Sequence, residues 1–542
     1  MSSGRNNPIA GPSGQAVIET EERSSASGFF KAGIGHLGAW IAGNATRLAV
    51  VLLVAGCAVR GFDATRTYLN PDEAAHVIAA QQASWTETYQ AAFLLMHPPL
   101  LILAVHGVMF LGRSVLLLRL PSLLGGAATL WFGFGWMRRI LGAVPALAGL
   151  GFLTLSPAAI SASIEVRQYG LMLGFICAAL YAIERAFATG SVGWVALHTL
   201  LLAGAMLSNY TAAVVLLCLG CYVLARVLID PVPRRLLAAL ILAELSLLSV
   251  VGWLYFAHIR PMLRPGTSVA QDYLQHFYFN RGSETLAAFV SRSLIGTFLY
   301  ASGGRAMALL LVLAFAVGLA AIVAGRTCAP RILALLLLAP FPVAFAVALL
   351  RVFPFGGSRH QAYLLPFLAA GVAAAFAGLP RDRAAILLLG AAAIAPVWLV
   401  RTVPDNDPHF VPARDMTAAV DYIRHTVPAG TPLFTDDQSR SVFRYYLAQD
   451  ETHPGRPDKA EWVGGYRLMA LSKHVWSFQG DTALAQAQEA ARSAGVPGGD
   501  PLWIVSTSWM DSPLASRLSC GQPCQGKEFG RVSIIRFAPA AH

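Results

Sequence analysis

Two adjacent carboxylates, Asp72 and Glu73, follow the first long apolar run of the chain in the segment NPDEAAHVIAA. A carboxylate at a membrane surface can act as a general base, which takes the proton of a hydroxyl group as that group attacks. The segment also suits a helix start, because Asn70 or Asp72 can cap a helix beginning near Pro71, and acidic side chains favour helix N-termini. The local sequence leaves a catalytic and a capping interpretation open.

Three further segments carry residue types that can bind a phosphate or a hydroxyl group. They are MHPPLL, with His97; SASIEVRQYG, with Glu165, Arg167 and Tyr169; and FPFGGSRHQAYLLP, with Arg359 and His360. Arginine suits phosphate because its planar guanidinium can donate two parallel hydrogen bonds. Each segment also has a structural interpretation, namely a helix start, an ion pair and an anchor at the membrane interface, respectively.

The composition indicates which solvent surrounds these segments. Of 542 residues, 56% are hydrophobic and only 13% are charged, whereas soluble domains carry roughly 25% charged residues. A lipid bilayer must therefore surround much of the chain. The formal net charge of +11 comes from arginines that stand singly or in pairs between apolar runs. That pattern is typical of cytoplasmic loops between membrane helices and argues against a nucleic-acid partner.

Apolar runs bounded by charge predict about eleven membrane-spanning helices. Arg138 and Arg139 should be cytoplasmic by the positive-inside rule. If the N-terminal tail is cytoplasmic as well, an even number of spans must precede Arg138, namely about 44–63 and 119–137. The short run at 98–112 then becomes a helix that lies at the outer interface. The predicted spans are about 44–63, 119–137, 143–161, 170–184, 192–208, 211–228, 236–257, 306–325, 331–350, 362–380 and 384–400.

This topology places the four polar segments on one face of the membrane, outside the cytoplasm. The same face carries many arginines, among them Arg260, Arg264, Arg281, Arg292 and Arg305. The positive-inside rule does not explain cations there. Their excess therefore calls for a function, such as the binding of an anion.

Residues 402–542 differ from the rest of the chain because they are polar and mixed. Helical patterns alternate with the strand candidates PLFT, LWIVS and VSIIRF, which predicts a small α/β domain outside the membrane. We therefore expect a cytoplasmic tail at 1–43, a polytopic α-helical membrane domain at 44–401, and an extracytoplasmic α/β domain at 402–542. A disulfide between Cys520 and Cys524 in that last domain is left open.

The motifs PDE, HPPL, LRLPSLLGG, RRILG, SIEVRQYGL and GGSRHQAYLLP occur in this order over roughly residues 45–400. The set resembles the GT-C superfamily of polytopic glycosyltransferases. It is most similar to the branch that holds the protein O-mannosyltransferases, the lipid A aminoarabinose transferase and the Rgt-type lipopolysaccharide sugar transferases. The resemblance implies juxtamembrane helices in the first outer loop, a polyprenyl-phosphate sugar donor, and inversion at the anomeric carbon.

The resemblance also implies roles for individual residues. Asp72 resembles the catalytic acid of the family, and Glu165 lies near the place where many members have a second acid. Arg167 and Tyr169 match the RxY pattern that often follows that acid. The predicted catalytic residues are therefore Asp72 and Glu165.

The predicted substrate-binding residues are Glu73, His97, Arg167, Tyr169, Arg359 and His360. His97 stands where some members have a lysine directed at the donor phosphate. Met96 stands where the aminoarabinose transferase has an acid that helps bind metal, so no metal ligand is assigned. The cofactor stays unknown, with a divalent metal as one possibility.

Together these features predict a transferase in the cell (inner) membrane. It would move one sugar from a polyprenyl-phosphate donor to an extracytoplasmic acceptor hydroxyl, in contact with membrane lipids. The leaving phosphate needs cations at headgroup depth, which the outer arginines can provide. The alternative is a transporter or flippase of lipid-linked sugars, which would share the cationic outer face. A transporter should also have polar residues reached from both sides of the membrane, and often an internal repeat.

Overall fold

A computed structural model describes residues 15–262, 274–380, 383–384, 387–388, 390, 411–447, 460–471, 480–493, 495–496, 500–508 and 524–537. Up to residue 380 the described chain is almost entirely helical, and the remainder forms a sheet with three helices. This mostly helical architecture with a C-terminal sheet confirms the predicted fold class. The predicted boundaries between the three parts stay predictions.

In the described part of the chain, eighteen helices precede residue 380. They are α1 (Gln15–Arg66), α2 (Pro71–Ala80), α3 (Trp85–Ala92), α4 (Leu100–Val108), α5 (Val115–Leu118), α6 (Leu120–Leu141), α7 (Ala143–Leu155), α8 (Pro157–Ile164), α9 (Gln168–Thr189), α10 (Val192–Ser208), α11 (Ala212–Ile229), α12 (Arg234–Leu254), α13 (Arg260–Met262), α14 (Leu286–Ser302), α15 (Arg305–Val323), α16 (Leu333–Leu338), α17 (Pro340–Leu349) and α18 (Leu365–Ala377). Short 3₁₀ turns cover Phe93–Leu95, Gln275–Phe277 and Arg359–Leu364, and a π-helical turn covers Tyr255–Ile259.

Within the described residues, six helices are long and apolar enough to cross a membrane. They are Gly38–Arg66, Gln168–Thr189, Ala212–Ile229, Arg234–Ile259, Arg305–Val323 and Arg359–Ala377. A seventh span arises if α7 and α8 count as one, although they are bent by 59°. The bend falls at Ser156, which caps α8 by accepting a hydrogen bond from the Ala159 amide (3.3 Å). It precedes Pro157, which has no N–H to continue the α7 ladder.

Each of the first ten predicted spans coincides with at least part of a described helix. Three further apolar helices are shorter than the others, at 10–17 residues: Val192–Ser208, Leu286–Ser302 and Leu333–Leu349. The eleventh predicted span, 384–400, lies almost wholly outside the described residues. The count of about eleven and the predicted orientation therefore stay predictions.

Two regions differ from the expectation drawn from the sequence. The predicted spans leave residues 258–305 as an outer loop, but the structure has an apolar helix there, α14, which the sequence analysis did not predict. Arg292 is 47% exposed and pairs with Glu284 at 3.0 Å, so the charge does not disturb the helix. The predicted tail 1–43 is helical from Gln15 onward.

The short helices after α1 agree with the interfacial arrangement expected for this segment. The nine residues of α4 rise roughly 14 Å, less than half the thickness of a bilayer core. Helices α2, α3 and α4 pack against one another, with Leu101, Ile102 and Val105 of α4 buried. They form a small layer that positions α2.

The close contact between α6 and α9 places the chain around residue 167. A Cβ atom at Gly125 would stand 2.3 Å from the carbonyl oxygen of Gly170, so only glycine permits this approach. Ser122 of α6 adds a hydrogen bond to the carbonyl oxygen of Arg167 (3.0 Å). The LPSLLGG motif therefore fixes the start of α9.

Six strands form one sheet in the order β2-β3-β1-β4-β6-β5. They are β1 (Pro432–Thr435), β2 (Ala460–Val463), β3 (Tyr466–Ala470), β4 (Leu502–Ser506), β5 (Cys524–Phe529) and β6 (Val532–Phe537), and the accompanying helices are α19 (Ala413–Thr426), α20 (Asp437–Leu447) and α21 (Gly480–Ser493). The central strand β1 runs parallel to β3 and β4, while β2, β6 and β5 pair antiparallel to their neighbours. The predicted strands PLFT, LWIVS and VSIIRF are β1, β4 and β6. The possible Cys520–Cys524 disulfide lies outside the described residues.

Candidate functional site

Helix α2 begins with a capping box that leaves Asp72 available. The Asn70 side chain accepts a hydrogen bond from the Glu73 amide (3.0 Å), and Glu73 accepts one from the Asn70 amide (3.1 Å). Reciprocal bonds of this kind satisfy amides that have no partner inside a helix. Asn70 is therefore the cap, and Asp72 presents its carboxylate from the first turn.

The carboxylate of Asp72 lies between two arginines from distant segments. Arg359 donates a hydrogen bond to its Oδ2 atom. Arg167 places Nη1 3.2 Å from the same oxygen. The side chain of Asp72 is 31% exposed, and that of Arg167 only 5%. The structure thus joins three of the polar segments predicted from the sequence.

The two arginines determine the charge of Asp72. Burial by itself would raise the pKa of the carboxyl, but Arg167 and Arg359 outweigh burial and hold the pKa well below its usual value. Asp72 is consequently ionised throughout the physiological range. A carboxylate in this state is a weak base as long as both guanidinium groups face it.

Arg359 reaches Asp72 from a turn with two glycines. Gly356 and Gly357 have φ values of 117° and 65°, a region that residues with a Cβ rarely adopt. A Cβ at Gly356 would also stand 2.8 Å from the Cα of Ser293 in α14. The turn therefore rests against α14 before Ser358 starts the 3₁₀ helix that carries Arg359.

Glu73 forms a buried ion pair with Arg119. Arg119 donates from Nε to Oε1 (2.8 Å) and from Nη2 to Oε2 (2.7 Å), and both side chains are 1% exposed. The amide of Val166 donates a further bond to Oε1 (2.7 Å). Glu73 thus ties the residue before Arg167 to the start of α2. This geometry gives it a positioning role in place of the substrate contact predicted from the sequence, because it has no exposed surface.

Arg119 itself has no role in the prediction made from the sequence. It also donates to the carbonyl oxygens of Ala64 (2.6 Å) and Tyr68 (2.8 Å) and to the hydroxyl of Thr67 (2.7 Å). One guanidinium therefore fixes the whole turn between α1 and α2. The signal that could have revealed it is an arginine directly before the apolar LPSLLGG run, where a charge needs a buried partner.

Two histidines extend the site along α2. His76 Nδ1 lies 2.6 Å from the carbonyl oxygen of Asp72, and its ring stacks on that of His97 with centroids 5.4 Å apart. The side-chain nitrogen Nε2 of Gln168 lies 3.4 Å from His97 Nδ1. Neither His76 nor Gln168 was predicted as a site residue. Their positions four residues after Asp72 and one after Arg167 are the only sequence signal for them.

Both imidazole rings are neutral. Burial and the neighbouring Arg167 lower the pKa of His76 to about 3. Burial is the largest cause that lowers the pKa of His97 well below its usual value, and the neighbouring His76 and Arg167 lower it further. A neutral His97 can donate one N–H to a ligand. It does not bring the positive charge of a lysine unless the ligand itself raises its pKa.

Tyr169 and His360 close the site on the side of α9. Tyr169 is 1% exposed, and its ring meets that of His360 edge-on with centroids 6.2 Å apart. The Arg167 guanidinium lies over the Tyr169 ring, 5.8 Å from its centroid. The ring thus helps hold Arg167 toward Asp72.

Glu165 is the acid whose charge can change near neutral pH. Burial and the charge of Glu73 raise the pKa of Glu165 to about 7, against the opposing effect of Arg359 and Arg167. Ser161 donates a hydrogen bond to its Oε1 atom (3.3 Å). Asp72 and Glu165 are therefore two carboxyl groups whose environments move their pKa values in opposite directions, as acid and base groups in enzymes often do.

Several buried polar atoms at the site have no hydrogen-bond partner among the described residues. They are His76 Nε2, Arg167 Nε, Gln168 Oε1 and Tyr169 Oη. Buried polar atoms in folded proteins are nearly always hydrogen-bonded. A polar ligand bound beside the ionised Asp72 carboxylate would supply hydrogen-bond partners for these atoms.

The donor set does not fit a divalent metal ion. No group of three His, Cys, Asp or Glu side chains among the residues that the structure describes could hold one. Asp72 already faces two guanidinium groups, and position 96 is a methionine, whose thioether is a poor ligand for hard cations.

Comparisons with known proteins bear on the family and the fold. Residues 96–256 match a family model described as dolichyl-phosphate-mannose-protein mannosyltransferase. The chain also superposes on apo ArnT from Cupriavidus metallidurans with a TM-score of 0.50 and 16% identity, covering 90% of this chain and 97% of that one. The chain has the fold of the GT-C glycosyltransferases. This fold and the family match confirm the predicted resemblance and enzyme class.

Other GT-C structures are similar at lower scores. The S. cerevisiae protein O-mannosyltransferase Pmt1-Pmt2 complex bound to the sugar donor gives a TM-score of 0.33 and 17% identity, over 43% of this chain and 35% of that one. The oligosaccharyltransferase AglB from Archaeoglobus fulgidus gives 0.45 and 11% identity, over 86% and 69%. No curated protein matches the chain in sequence. The apolar spanning helices and the likeness to ArnT support a multi-pass membrane protein with GT-C architecture.

Proposed function

We propose that the protein transfers one sugar from a polyprenyl-phosphate donor to an extracytoplasmic acceptor hydroxyl, with inversion at the anomeric carbon. The observation that carries this proposal is the carboxylate of Asp72 between Arg167 and Arg359, beside buried polar atoms that lack partners. A sugar transfer in which a phosphate leaves needs a base for the acceptor hydroxyl and positive charge for the phosphate. The carboxylate and the two arginines can supply these. The family match over residues 96–256 supports the donor class.

The bonds and charges of the proposed step balance without another reactant. The acceptor oxygen forms a bond to the anomeric carbon while the bond between that carbon and the phosphate oxygen breaks. The electron pair leaves with the polyprenyl phosphate, and the hydroxyl proton passes to Asp72 as general base. Attack from the side opposite the phosphate inverts the anomeric carbon.

The arginines serve the phosphate and the base in turn. Arg167 and Arg359 would donate hydrogen bonds to the phosphate oxygens, where negative charge grows as the bond breaks. A phosphate bound there offsets the positive charge of the two guanidinium groups that face Asp72. That change raises the pKa of the Asp72 carboxyl. Donor binding would thus turn a weak base into a stronger one at the moment it is needed.

The remaining polar groups would orient the sugar and the acceptor. Neutral His76 and His97 can exchange hydrogen bonds with hydroxyl or phosphate oxygens, and the Tyr169 ring lies against both His360 and Arg167. Glu165, with a pKa of about 7, would accept a hydrogen bond as its carboxylate and help hold the acceptor. Precise orientation of this kind can account for a large part of an enzymatic rate.

The experiment that tests the function uses purified protein in lipid nanodiscs and a polyprenyl-phosphate sugar with a radiolabelled sugar. A bacterial envelope extract serves as the source of acceptors. The proposal predicts a labelled product that is no longer extracted with the lipid and that requires the protein. In liposomes, label that crosses the membrane without a new glycosidic bond would instead favour a flippase. The predicted cytoplasmic N-terminus and inner-membrane location remain part of this proposal.

A further inference from the structure

The turn that precedes α2 is part of the hydrophobic core of the C-terminal sheet unit, which we define as the described residues between 411 and 537. Tyr68 is 2% exposed and Ala74 is completely buried, and both pack in one cluster with residues of that unit. Buried members of this cluster from the sheet unit include Val411, Met416, Ile423, Leu433, Val442 and Phe443. Asp72 therefore lies between two residues that the sheet unit buries.

Hydrogen bonds join the same two parts of the chain. The amide of Leu69 donates to the hydroxyl of Tyr446 in α20 (2.9 Å), and the amide of Tyr68 donates to the carbonyl oxygen of Val411 (3.3 Å). The neighbouring Tyr445 donates to the carbonyl oxygen of Arg113, just before α5 (2.9 Å). The C-terminal end of α20 thus binds the active-site turn and the segment before Arg119.

The other end of α20 is fixed to the sheet. Asp436, which follows β1 directly, accepts hydrogen bonds from the Ser439 amide (2.7 Å) and from the hydroxyl of Ser506 at the end of β4 (2.9 Å). The amide of Thr507 donates to the Ser439 hydroxyl (2.8 Å). Helix α20 is therefore a rigid strut with the sheet at its start and the active-site turn at its end.

Only two residues separate Leu69 from Asp72, and both are fixed. Asn70 is the cap of α2, and Pro71 has a fixed φ. Arg119 holds the carbonyl oxygen of Tyr68 on the opposite side of the turn (2.8 Å). A displacement of Tyr446 is therefore transmitted to the Asp72 carboxylate, and errors of about 1 Å in such a position can cost about a hundred-fold in rate.

We propose that the C-terminal sheet unit positions the catalytic carboxylate, and that Tyr446 is the positioning residue through which it acts. The proposal rests on the assignment of Asp72 in the proposed function. The proposal gives the sheet unit a part in the chemistry, although none of the residues that we assign to the donor or the acceptor belongs to that unit. Tyr446 acts through the Leu69 amide.

The test compares Tyr446→Phe with Tyr466→Phe, which loses a similar buried hydroxyl. Among the described residues, Tyr466 donates to the carbonyl oxygens of Ile423 (3.3 Å) and Val427 (3.4 Å), both inside the sheet unit. We expect Tyr446→Phe to lower kcat about ten-fold, as the loss of one buried hydrogen bond allows, with the KM for the polyprenyl-phosphate sugar within about two-fold of wild type. Tyr466→Phe should keep the wild-type kcat. Equal kcat values in the two variants would overturn the proposal.

Hydrogen–deuterium exchange of the full-length variants gives a second readout that does not depend on activity. In Tyr446→Phe, the amides of the peptide 67–74 should exchange about five-fold faster than in wild type, while Tyr466→Phe leaves that peptide unchanged. Equal exchange in both variants would overturn the docking of the turn on α20. If Asp72→Asn keeps full activity while Tyr446→Phe speeds exchange, the catalytic assignment fails and the docking stands.

Discussion

Arg359 donates a hydrogen bond to the carboxylate of Asp72 although 287 positions separate them in the chain. Arg167 lies 3.2 Å from the same oxygen, so one carboxylate faces two cations. In the proposed reaction the phosphate of the donor competes for those cations. The ion pair is therefore both the resting state of the base and the binding site of the leaving group.

Replacing Arg359 by glutamine should weaken donor binding. Hydrogen bonds to charged groups contribute about 1.5–3 kcal/mol, so we expect the KM for the polyprenyl-phosphate sugar to rise by about ten- to a hundred-fold. The matched control is Arg292→Gln, because Arg292 pairs with Glu284 near the surface and does not contact Asp72. Steady-state kinetics over a donor series checks the difference. An unchanged KM in Arg359→Gln would remove the residue from the phosphate site.

The Glu73–Arg119 pair should contribute to stability rather than to substrate contact. Removing one partner of a buried ion pair leaves an uncompensated charge and costs about 3–5 kcal/mol. We expect Arg119→Met or Glu73→Gln to lower the free energy of unfolding by about that amount. The double variant should lose less than the sum of the two.

Thermal unfolding in detergent measures the stability of all three variants of this pair. If the single variants unfold at the wild-type temperature, the pair does not hold the turn between α1 and α2. If Glu73→Gln is stable and its donor KM rises, Glu73 contacts substrate as the sequence first suggested.

Glu165 should give the reaction a pH dependence near neutrality. Its folded-state pKa is raised to about 7, so the carboxylate forms as the pH rises through that value. If the carboxylate orients the acceptor, kcat/KM should increase between pH 6 and pH 8 and then level off. Asp72, with a pKa well below its usual value, adds no inflection in this range. An inflection that persists in Glu165→Gln would assign it to another group.

Tyr169 separates a ligand-binding role from a structural one. Its hydroxyl is buried and has no hydrogen-bond partner among the residues described, so Tyr169→Phe should not reduce the melting temperature. If the hydroxyl bonds to the substrate, the same variant should lower kcat/KM about five- to ten-fold. Melting curves and kinetics on one preparation check both points. A destabilised variant with unchanged kinetics would make the hydroxyl structural.

Local chemistry made some of these elements predictable from sequence. Asn70, Pro71 and Glu73 together specify a capped helix start, and the structure has that cap. The strands PLFT, LWIVS and VSIIRF were found because each is apolar and bounded by turn residues. The strands β2 and β5 were missed. Both lie at the edges of the sheet, CQGKEF is mostly polar, and the apolar run of AEWV is interrupted by a glutamate.

Contacts between distant segments were not predictable in the same way. Placing the polar segments on one face suggested that Asp72 and Arg359 could meet, but no local pattern joins Glu73 to Arg119. The resemblance identified Asp72 but not the neutral state of His97, which depends on burial and on Arg167. The docking of α20 on the turn before α2 is likewise a property of the folded chain.

The central claim is that the Asp72 carboxylate takes the acceptor proton, and Asp72→Asn tests it most directly. Asp230→Asn is the control, because Asp230 pairs with Arg226 at the end of α11, far along the chain from the site residues. Radiolabelled sugar transfer by purified protein in nanodiscs is measured under single-turnover conditions. General-base catalysis contributes about a hundred- to ten-thousand-fold, so Asp72→Asn should lose at least about a hundred-fold in rate while still binding the donor. A rate within about two-fold of the Asp230→Asn control would contradict the assignment.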